Sequence, residues 1–565
     1  MPPDAYTSSR TSPSMCRPAL TAGAALLALV LLPAAGLAQH AGGRHAGPST
    51  AAEVSAAAPK GDAPKADTTK ADATKAADDD AAKKKDDAAA DPKKLPADVT
   101  TDQTVTIGGR AVKFRATAGS IPLLDAESGD LRAEVGFVAY TMGDPASRPV
   151  TFLFNGGPGA ASAYLNIGAV GPWRLPLAGA TASTPPVLVP NGESWLDFTD
   201  LVFVDPPGTG YSRIVGGDKV RERFWSIEGD ADALAVAVRK WIVKNGRERS
   251  PKFLVGESYG GFRVPMIARA LAREEGIGVR GMVLISPVLD FTTLAKRDHA
   301  PMGWVMHLPS MAAAALEARH AFDEKALAEA EHYATGDYLA DLLRGERDAE
   351  AVARMSDKVA ALTGLDPALV RRLAGRVDNR TFQRELFRER GLIGSAYDAA
   401  VTAYDPTPAA ARSRYLDPVL DATKAPITAA MTQLYRDTLG WTIDRPYALL
   451  NDAVSSQWNW GGGRSAPEVV DEVRDFLASD PKTRLMVAHG AADLVTPYFA
   501  NKLILQQLPV YGEASRATLE VYRGGHMFYS EDGSREKFRR DAEAFFRAAL
   551  NGAEKTGEAG AKPKK

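Results

Sequence analysis

Lys252-Phe253-Leu254-Val255-Gly256-Glu257-Ser258-Tyr259-Gly260-Gly261-Phe262 is the stretch whose reading decides the fold. An apolar run ends at a serine in the pattern Gly-x-Ser-x-Gly, and a helix-like segment, Met266 to Glu275, follows. Strand, sharp turn and helix in that order make a nucleophile elbow: the turn holds the serine Oγ out, and the N–H groups of the helix start face it. Glycines at 256 and 260 let neighbouring backbone pass close to a strained residue. The same pattern also occurs as a plain Gly-rich turn, so the rest of the chain must supply the context.

Upstream, Pro149 to Phe154 reads as a buried strand running into Asn155-Gly156-Gly157-Pro158-Gly159. Backbone donors collect on such loops at the C-terminal ends of strands in α/β sheets. With an elbow present, such a loop supplies one N–H of the oxyanion hole, and Tyr259, the residue after the serine, supplies the other. The loop lacks the Lys-Ser/Thr pair of a phosphate loop, and its bland reading is a tight turn. Val105 to Phe114 predicts two short strands across Gly108-Gly109, and Ala133 to Tyr140 alternates as a further strand. Leu201 to Val204 is another buried strand, leading into Asp205-Pro206-Pro207-Gly208-Thr209-Gly210-Tyr211. Gly229 to Lys244 carries Leu234, Val238, Trp241 and Ile242 at helical spacing. Gly281 to Ser286, Thr483 to Ala488 and Thr518 to Tyr522 are later strands, and Phe538 to Leu550 is a closing helix. Strand and helix alternate, which predicts an α/β fold: a mostly parallel sheet with helices on both faces. Between about 295 and 440 the rhythm stops. That block is Ala-rich and helical, as in Met311–Phe322 and Asp366–Arg376, with no convincing strand, and reads as a helical cap insertion.

A serine needs a base to be nucleophilic at neutral pH, and the base needs an acid to fix its tautomer. In this architecture they follow in the order Ser, Asp, His, on loops after late strands. Ser258, Asp493 and His526 satisfy order and placement together. Of the eight histidines, His489 is the rival base, but it precedes Asp493 by four residues on one loop. Asp480, before a proline, is the rival acid.

Asn155-Gly156-Gly157-Pro158-Gly159, Gly256-Glu257-Ser258-Tyr259-Gly260-Gly261 and Gly525-His526-Met527 together resemble the serine carboxypeptidases, peptidase family S10, in a bacterial form, within the α/β-hydrolase superfamily. The motif order covers roughly residues 100 to 550. The resemblance implies removal of a C-terminal amino acid through an acyl-enzyme. It implies Ser258, Asp493 and His526 as triad, Gly157 and Tyr259 as oxyanion donors, and Asn155 and Glu257 as the residues that bind the substrate's terminal carboxylate. A carboxylate beside a carboxylate repels it unless one carries a proton, so a Glu257 with a raised pKa would donate that hydrogen bond. The bland role of Glu257 is an elbow residue bonded to backbone. Departures from the family pattern are Ala160-Ala161-Ser162 for Cys-Ser-Ser, Leu153 for a tryptophan, Ala169 for a second acidic residue, one residue fewer in the loop at 205–211, and Gly490-Ala491 for Gly-Asp.

Three functions fit this machinery: a serine exopeptidase, an esterase or acyltransferase, and a non-enzymatic envelope binding protein. Peptides are the expected substrates, and no cofactor or metal is called for. The net charge of −2 gives no electrostatic case for nucleic acid or anionic membrane.

The 565 residues suit one large α/β domain, assigned to 98–550, with extensions at both ends. Residues 1–38 read as an export signal: Arg10 and Arg17, an apolar run from Ala19 to Leu32, then small residues ending at Ala38. Met15 is an alternative start. As a membrane anchor the run is shorter than the roughly 20 residues a span needs. Export to the periplasm or medium follows, with no membrane span after cleavage. Cys16, the sole cysteine, would leave with the signal, so the mature chain would contain neither disulfides nor thiol chemistry. Residues 39–97 are rich in Ala, Lys and Asp with no apolar period and read as a disordered segment, or as an attachment to an envelope polymer. Residues 551–565 read as a disordered tail.

Overall fold

The structure is a computed structural model that describes residues 94–551 except 145–147, 297–298, 411–412, 414, 416 and 464. The expected signal (1–38), nearly all of the 39–97 segment, and 552–565 lie outside the described residues. Leu95, near the start of the described residues, is buried and donates its N–H to Glu134 Oε2 at 3.2 Å.

Val99–Ile107 (β1) and Arg110–Leu124 (β2) form a hairpin. Gly108 and Gly109 both have positive φ, 53° and 78°, as a two-residue turn matching strand twist requires. Leu131–Thr141 (β3), Val150–Phe154 (β4), Asp200–Val204 (β5), Lys252–Glu257 (β6), Gly281–Ile285 (β7), Arg484–Gly490 (β8) and Ala517–Tyr522 (β9) complete the main sheet. Its order is β1-β2-β3-β5-β4-β6-β7-β8-β9, with the short strand Arg213–Ile214 also paired to β3. Pairings are antiparallel as far as β5 and parallel from there onward.

The central strands divide their side chains between two cores. Phe253, Val255, Val283, Ile285, Met486 and Ala488 point to one; Leu254, Met282, Leu284, Leu485 and Val487 point to the other. Burial on both faces explains why these strands read as unbroken apolar runs. β3 is likewise buried at eight successive positions, so the alternation expected of it reflects residue type and not exposure. Ile227–Lys244 (α1), Tyr259–Arg273 (α2) and Val470–Ser479 cover one face, and Leu234, Val238, Trp241 and Ile242 of α1 all lie in that core. Asp532–Asn551 (α3) covers the other through Phe538, Ala542, Phe546 and Ala549, with Phe546 stacked 4.1 Å from Phe253. This helix begins six residues before the expected one, because its polar first turns carry no apolar signal.

Between β7 and β8 lie helices Pro301–Ala318, Glu324–Tyr333, Ala349–Thr363 and Pro418–Gln433. The helix expected over 311–322 is Pro301–Ala318: Pro309 sits inside it, and the burial of Val305, Leu308 and Met311 outweighs the proline. The helix expected over 366–376 is only Pro367–Arg372. The region also contains a hairpin the sequence did not reveal, Leu392–Gly394 with Thr402–Tyr404, whose three-residue strands are too short to show periodicity. A third core joins Pro301–Ala318, Glu324–Tyr333 and Ala349–Thr363 to Ala491, Ala492, Leu494, Tyr498 and Phe499, just after β8, whereas Val419, Ile427 and Met431 of Pro418–Gln433 lie in the first core. Among the described residues, no helix is long and apolar enough to cross a membrane.

Candidate active site

Asn155, Ser258, Asp493 and His526 all follow C-terminal ends of parallel strands, β4, β6, β8 and β9. Ser258 has φ 60° and ψ −124°, a conformation rare outside glycine and typical of stored backbone strain. The surroundings hold it there: its N–H donates to Ile285 C=O at 2.9 Å, and its own C=O accepts from Gly261 N–H at 2.9 Å. α2 starts at the next residue. A Cβ on Gly256 would lie 2.0 Å from Gly260 O, and one on Gly260 2.3 Å from Phe154 O, so neither position admits a side chain.

The Asn155 loop presses against this elbow. A Cβ on Gly156 would sit 2.5 Å from Tyr259 N. The 155–157 backbone and the Tyr259 N–H therefore meet beside the serine, where an oxyanion would form. Asn155 is buried, takes Ser162 Oγ on its N–H at 3.1 Å and offers Oδ1 to Leu165 N–H at 3.0 Å. Its C=O accepts from Arg263 Nη1 of α2. Arg263 also pairs with Asp230 of α1 and lies over the Tyr259 ring, tying loop, elbow and both helices together.

Asp493 Oδ2 and His526 Nδ1 are 2.7 Å apart, and both residues are buried. Val495 and Thr496 N–H groups donate to Asp493 Oδ1 at 2.8 and 3.0 Å, and Thr496 Oγ1 lies 2.8 Å from Oδ2. The carboxylate is thus fixed by its own turn and directs the histidine tautomer, with Nε2 facing away from the acid. Burial pulls the His526 imidazolium down, but the Asp493 carboxylate and its hydrogen bond, with Glu257 and Asp417, outweigh it and leave the pKa above the ordinary value. His526 backbone is held on both sides. Its N–H donates to Tyr397 C=O at 2.5 Å, its C=O accepts from Ser286 Oγ at 2.8 Å, and the Tyr397 ring meets the imidazole edge-on.

Glu257, beside the serine, is buried. Burial raises its pKa to about 7, against lowering by His526, Tyr529 and Asn155 and further raising by Asp493. Tyr529 Oη donates to Glu257 Oε2 at 2.8 Å. The rivals stand elsewhere. His489 lies 2.8 Å from Asn501 Nδ2 through Nε2, only 4.0 Å from Asp493 through Nδ1, and burial pushes its pKa down to about 3. Asp480 precedes β8, about 20 Å of strand away from the end that carries Asp493. Leu153 is core, and Ala169 is buried in the π-helical turn Tyr164–Val170.

Sequence reasoning missed Tyr529, Thr496, Tyr397 and Arg263. Tyr529 and Thr496 each follow a candidate triad member by three residues, and Arg263 is one turn past the serine, so proximity was an available signal. Tyr397 comes from the block between β7 and β8 and left no local mark.

A parallel sheet in this order, an elbow serine at its centre and a buried Asp–His pair on later strands define an α/β hydrolase. Residues 137–336 match the family model described as serine carboxypeptidase, Peptidase_S10. That region includes Asn155, Glu257 and Ser258. The chain is 27% identical over 208 residues to serine carboxypeptidase-like 45 of Arabidopsis thaliana, covering 34% of this chain and 41% of the relative. It is 31% identical over 161 residues to the pheromone-processing carboxypeptidase KEX1 of Leptosphaeria maculans, covering 27% and 23%. The chain thus spans less than half the length of the curated relatives it matches. Among solved structures, a prohormone-processing carboxypeptidase, KEX1, of Saccharomyces cerevisiae aligns with TM-score 0.49 at 16% identity, covering 77% of this chain and 91% of that one.

Proposed function

We propose that this protein is a serine carboxypeptidase that hydrolyses C-terminal peptide bonds through an acyl-enzyme. Ser258 Oγ attacks the scissile carbonyl while His526 Nε2 takes its proton, and Asp493 steadies the imidazolium. Gly157 and Tyr259 N–H groups bind the oxyanion. His526 returns the proton to the leaving amino acid, and water then enters by the same route to release the acyl group. Asn155 and a protonated Glu257 hold the terminal carboxylate of the substrate. The observation that carries the exopeptidase reading is Glu257: a buried carboxyl next to the nucleophile, with a pKa near 7, donates to a carboxylate where an ionised one would repel it.

A second reading, an esterase or acyltransferase, is favoured by Ala169, which is apolar and buried where the family pattern has a second acidic residue. The block between β7 and β8 is read as a cap, and residues 1–38 as a cleaved export signal leading to the periplasm or medium. The test has two arms. A serine-directed phosphonate should label wild type at Ser258 and leave Ser258→Ala unlabelled. N-blocked dipeptides should release their C-terminal amino acid. Labelling without release would favour the esterase, and no labelling would remove the catalytic reading.

A further inference from the structure

Tyr529 has no part in the proposed triad, yet its hydroxyl is hydrogen-bonded to Glu257 at 2.8 Å. It stands in the 3-10 turn Phe528–Ser530, directly after His526 and Met527, and is fully buried. Its position is rigid. Its C=O accepts from Arg535 Nη1 at 3.1 Å, and Arg535, itself buried, also reaches Asp532 and Glu193. Its ring lies against Gly168, where an added Cβ would sit 3.5 Å from Tyr529 Cε2, one residue before Ala169. A phenol so placed spans from the helical turn 164–170 to the carboxyl of Glu257.

Building on the carboxypeptidase reading, we propose that Tyr529 is the positioning residue of the terminal-carboxylate grip. Its hydroxyl engages Oε2 of Glu257, so that the proton of the carboxyl resides on Oε1 and is offered to the substrate carboxylate. A carboxyl free to rotate would present either oxygen, and the proton would face the substrate only part of the time. With Oε2 engaged as an acceptor, one orientation is selected before substrate arrives. The buried phenol is itself raised well above its ordinary pKa, chiefly by burial and then by Glu257, and so remains a donor throughout the working range. The other groups facing Glu257 are Asn155 at the end of β4, His526 and Asp493 after β9 and β8, Tyr164 of the helical turn, and Tyr397. Tyr529 is the one whose hydroxyl is at 2.8 Å from it.

The test is Tyr529→Phe, which keeps the ring and removes the donor. Rates are measured across pH on an N-blocked dipeptide and on its C-terminal amide, in wild-type and in Glu257→Gln backgrounds. Loss of a donor to the ionised carboxylate raises the Glu257 pKa. The alkaline limb for the free-acid substrate should therefore move up by roughly half to one pH unit. KM for that substrate should rise about three- to tenfold, so the free-acid to amide ratio of kcat/KM falls. In Glu257→Gln no carboxyl titrates, so Tyr529→Phe should shift no alkaline limb there. If Tyr529→Phe depresses free acid and amide alike, or shifts the alkaline limb equally in Glu257→Gln, its role is packing and the proposal is overturned. A wild type that releases no amino acid from any blocked dipeptide would instead remove the carboxypeptidase reading beneath it.

Discussion

At the scale of single residues, the proposed chemistry turns on which histidine meets which carboxylate. His526 has an acid at 2.7 Å on one nitrogen, whereas His489 is committed to Asn501 and stays neutral far below the working pH. If Ser258, Asp493 and His526 form the proposed triad, Ser258→Ala and His526→Ala should each lower kcat by about 10³-fold or more, because triad members act as a unit. Both proteins should stay folded, and labelling by the phosphonate should disappear. His489→Ala should cost far less activity. A thermal scan alongside steady-state rates checks all three, and a severe His489→Ala with a mild His526→Ala would reverse the assignment. The same residues show what a sequence makes legible. Ser258, Asp493 and His526 were singled out by their order and their placement after strands, whereas Asn155 and Glu257 were expected only from the family resemblance. Tyr397 touches His526 through a backbone carbonyl and a ring edge, contacts that any residue order could supply.

Among the elements, the parallel strands were legible because burial on both faces demands continuous apolar runs, as in Phe253-Leu254-Val255. The closing helix was legible only where Phe538, Ala542 and Phe546 repeat, and its polar start was lost. The block between β7 and β8 was read as helical, but its boundaries followed propensity where packing decides. Pro309 lies inside a helix because Val305, Leu308 and Met311 bury around it, and the 392–404 hairpin is held by pairing that six residues cannot announce. The closing helix offers a direct check. Phe546 stacks on Phe253 of β6, the strand that carries the serine, and meets Trp195 and Phe198. Phe546→Ala should destabilise the protein by about 3–5 kcal/mol. The measurement is the denaturant midpoint, and an unchanged midpoint would show that the helix does not clamp the sheet.

For the whole molecule, buried carboxyls set the response to pH. Burial raises Glu257, Asp205 and Glu317 to about 7 and Asp398 to about 6, while lowering His489 to about 3 and His307 well below its ordinary value. A carboxyl whose folded pKa exceeds its unfolded one binds more protons when folded, so stability falls as pH rises through roughly 4–7. The two depressed histidines act oppositely, adding stability up to about pH 6.5. His526, raised, contributes stability below its unfolded value that is lost as pH rises further. The melting temperature should therefore be higher at pH 6 than at pH 7.5, and a rise across that interval would contradict these burials. Activity follows from the same groups. In the proposed mechanism His526 must be neutral to act as base, which sets the acid limb, and Glu257 must be protonated to hold a carboxylate, which sets the alkaline one. The most direct test of the central claim is the pH profile of kcat/KM for an N-blocked dipeptide and for its C-terminal amide, in wild type and in Glu257→Gln. The account predicts that the wild-type rate on the free acid declines above about pH 7, that the decline shrinks for the amide, and that it flattens in Glu257→Gln. Four profiles of one shape would contradict it, for then Glu257 would not read the carboxylate.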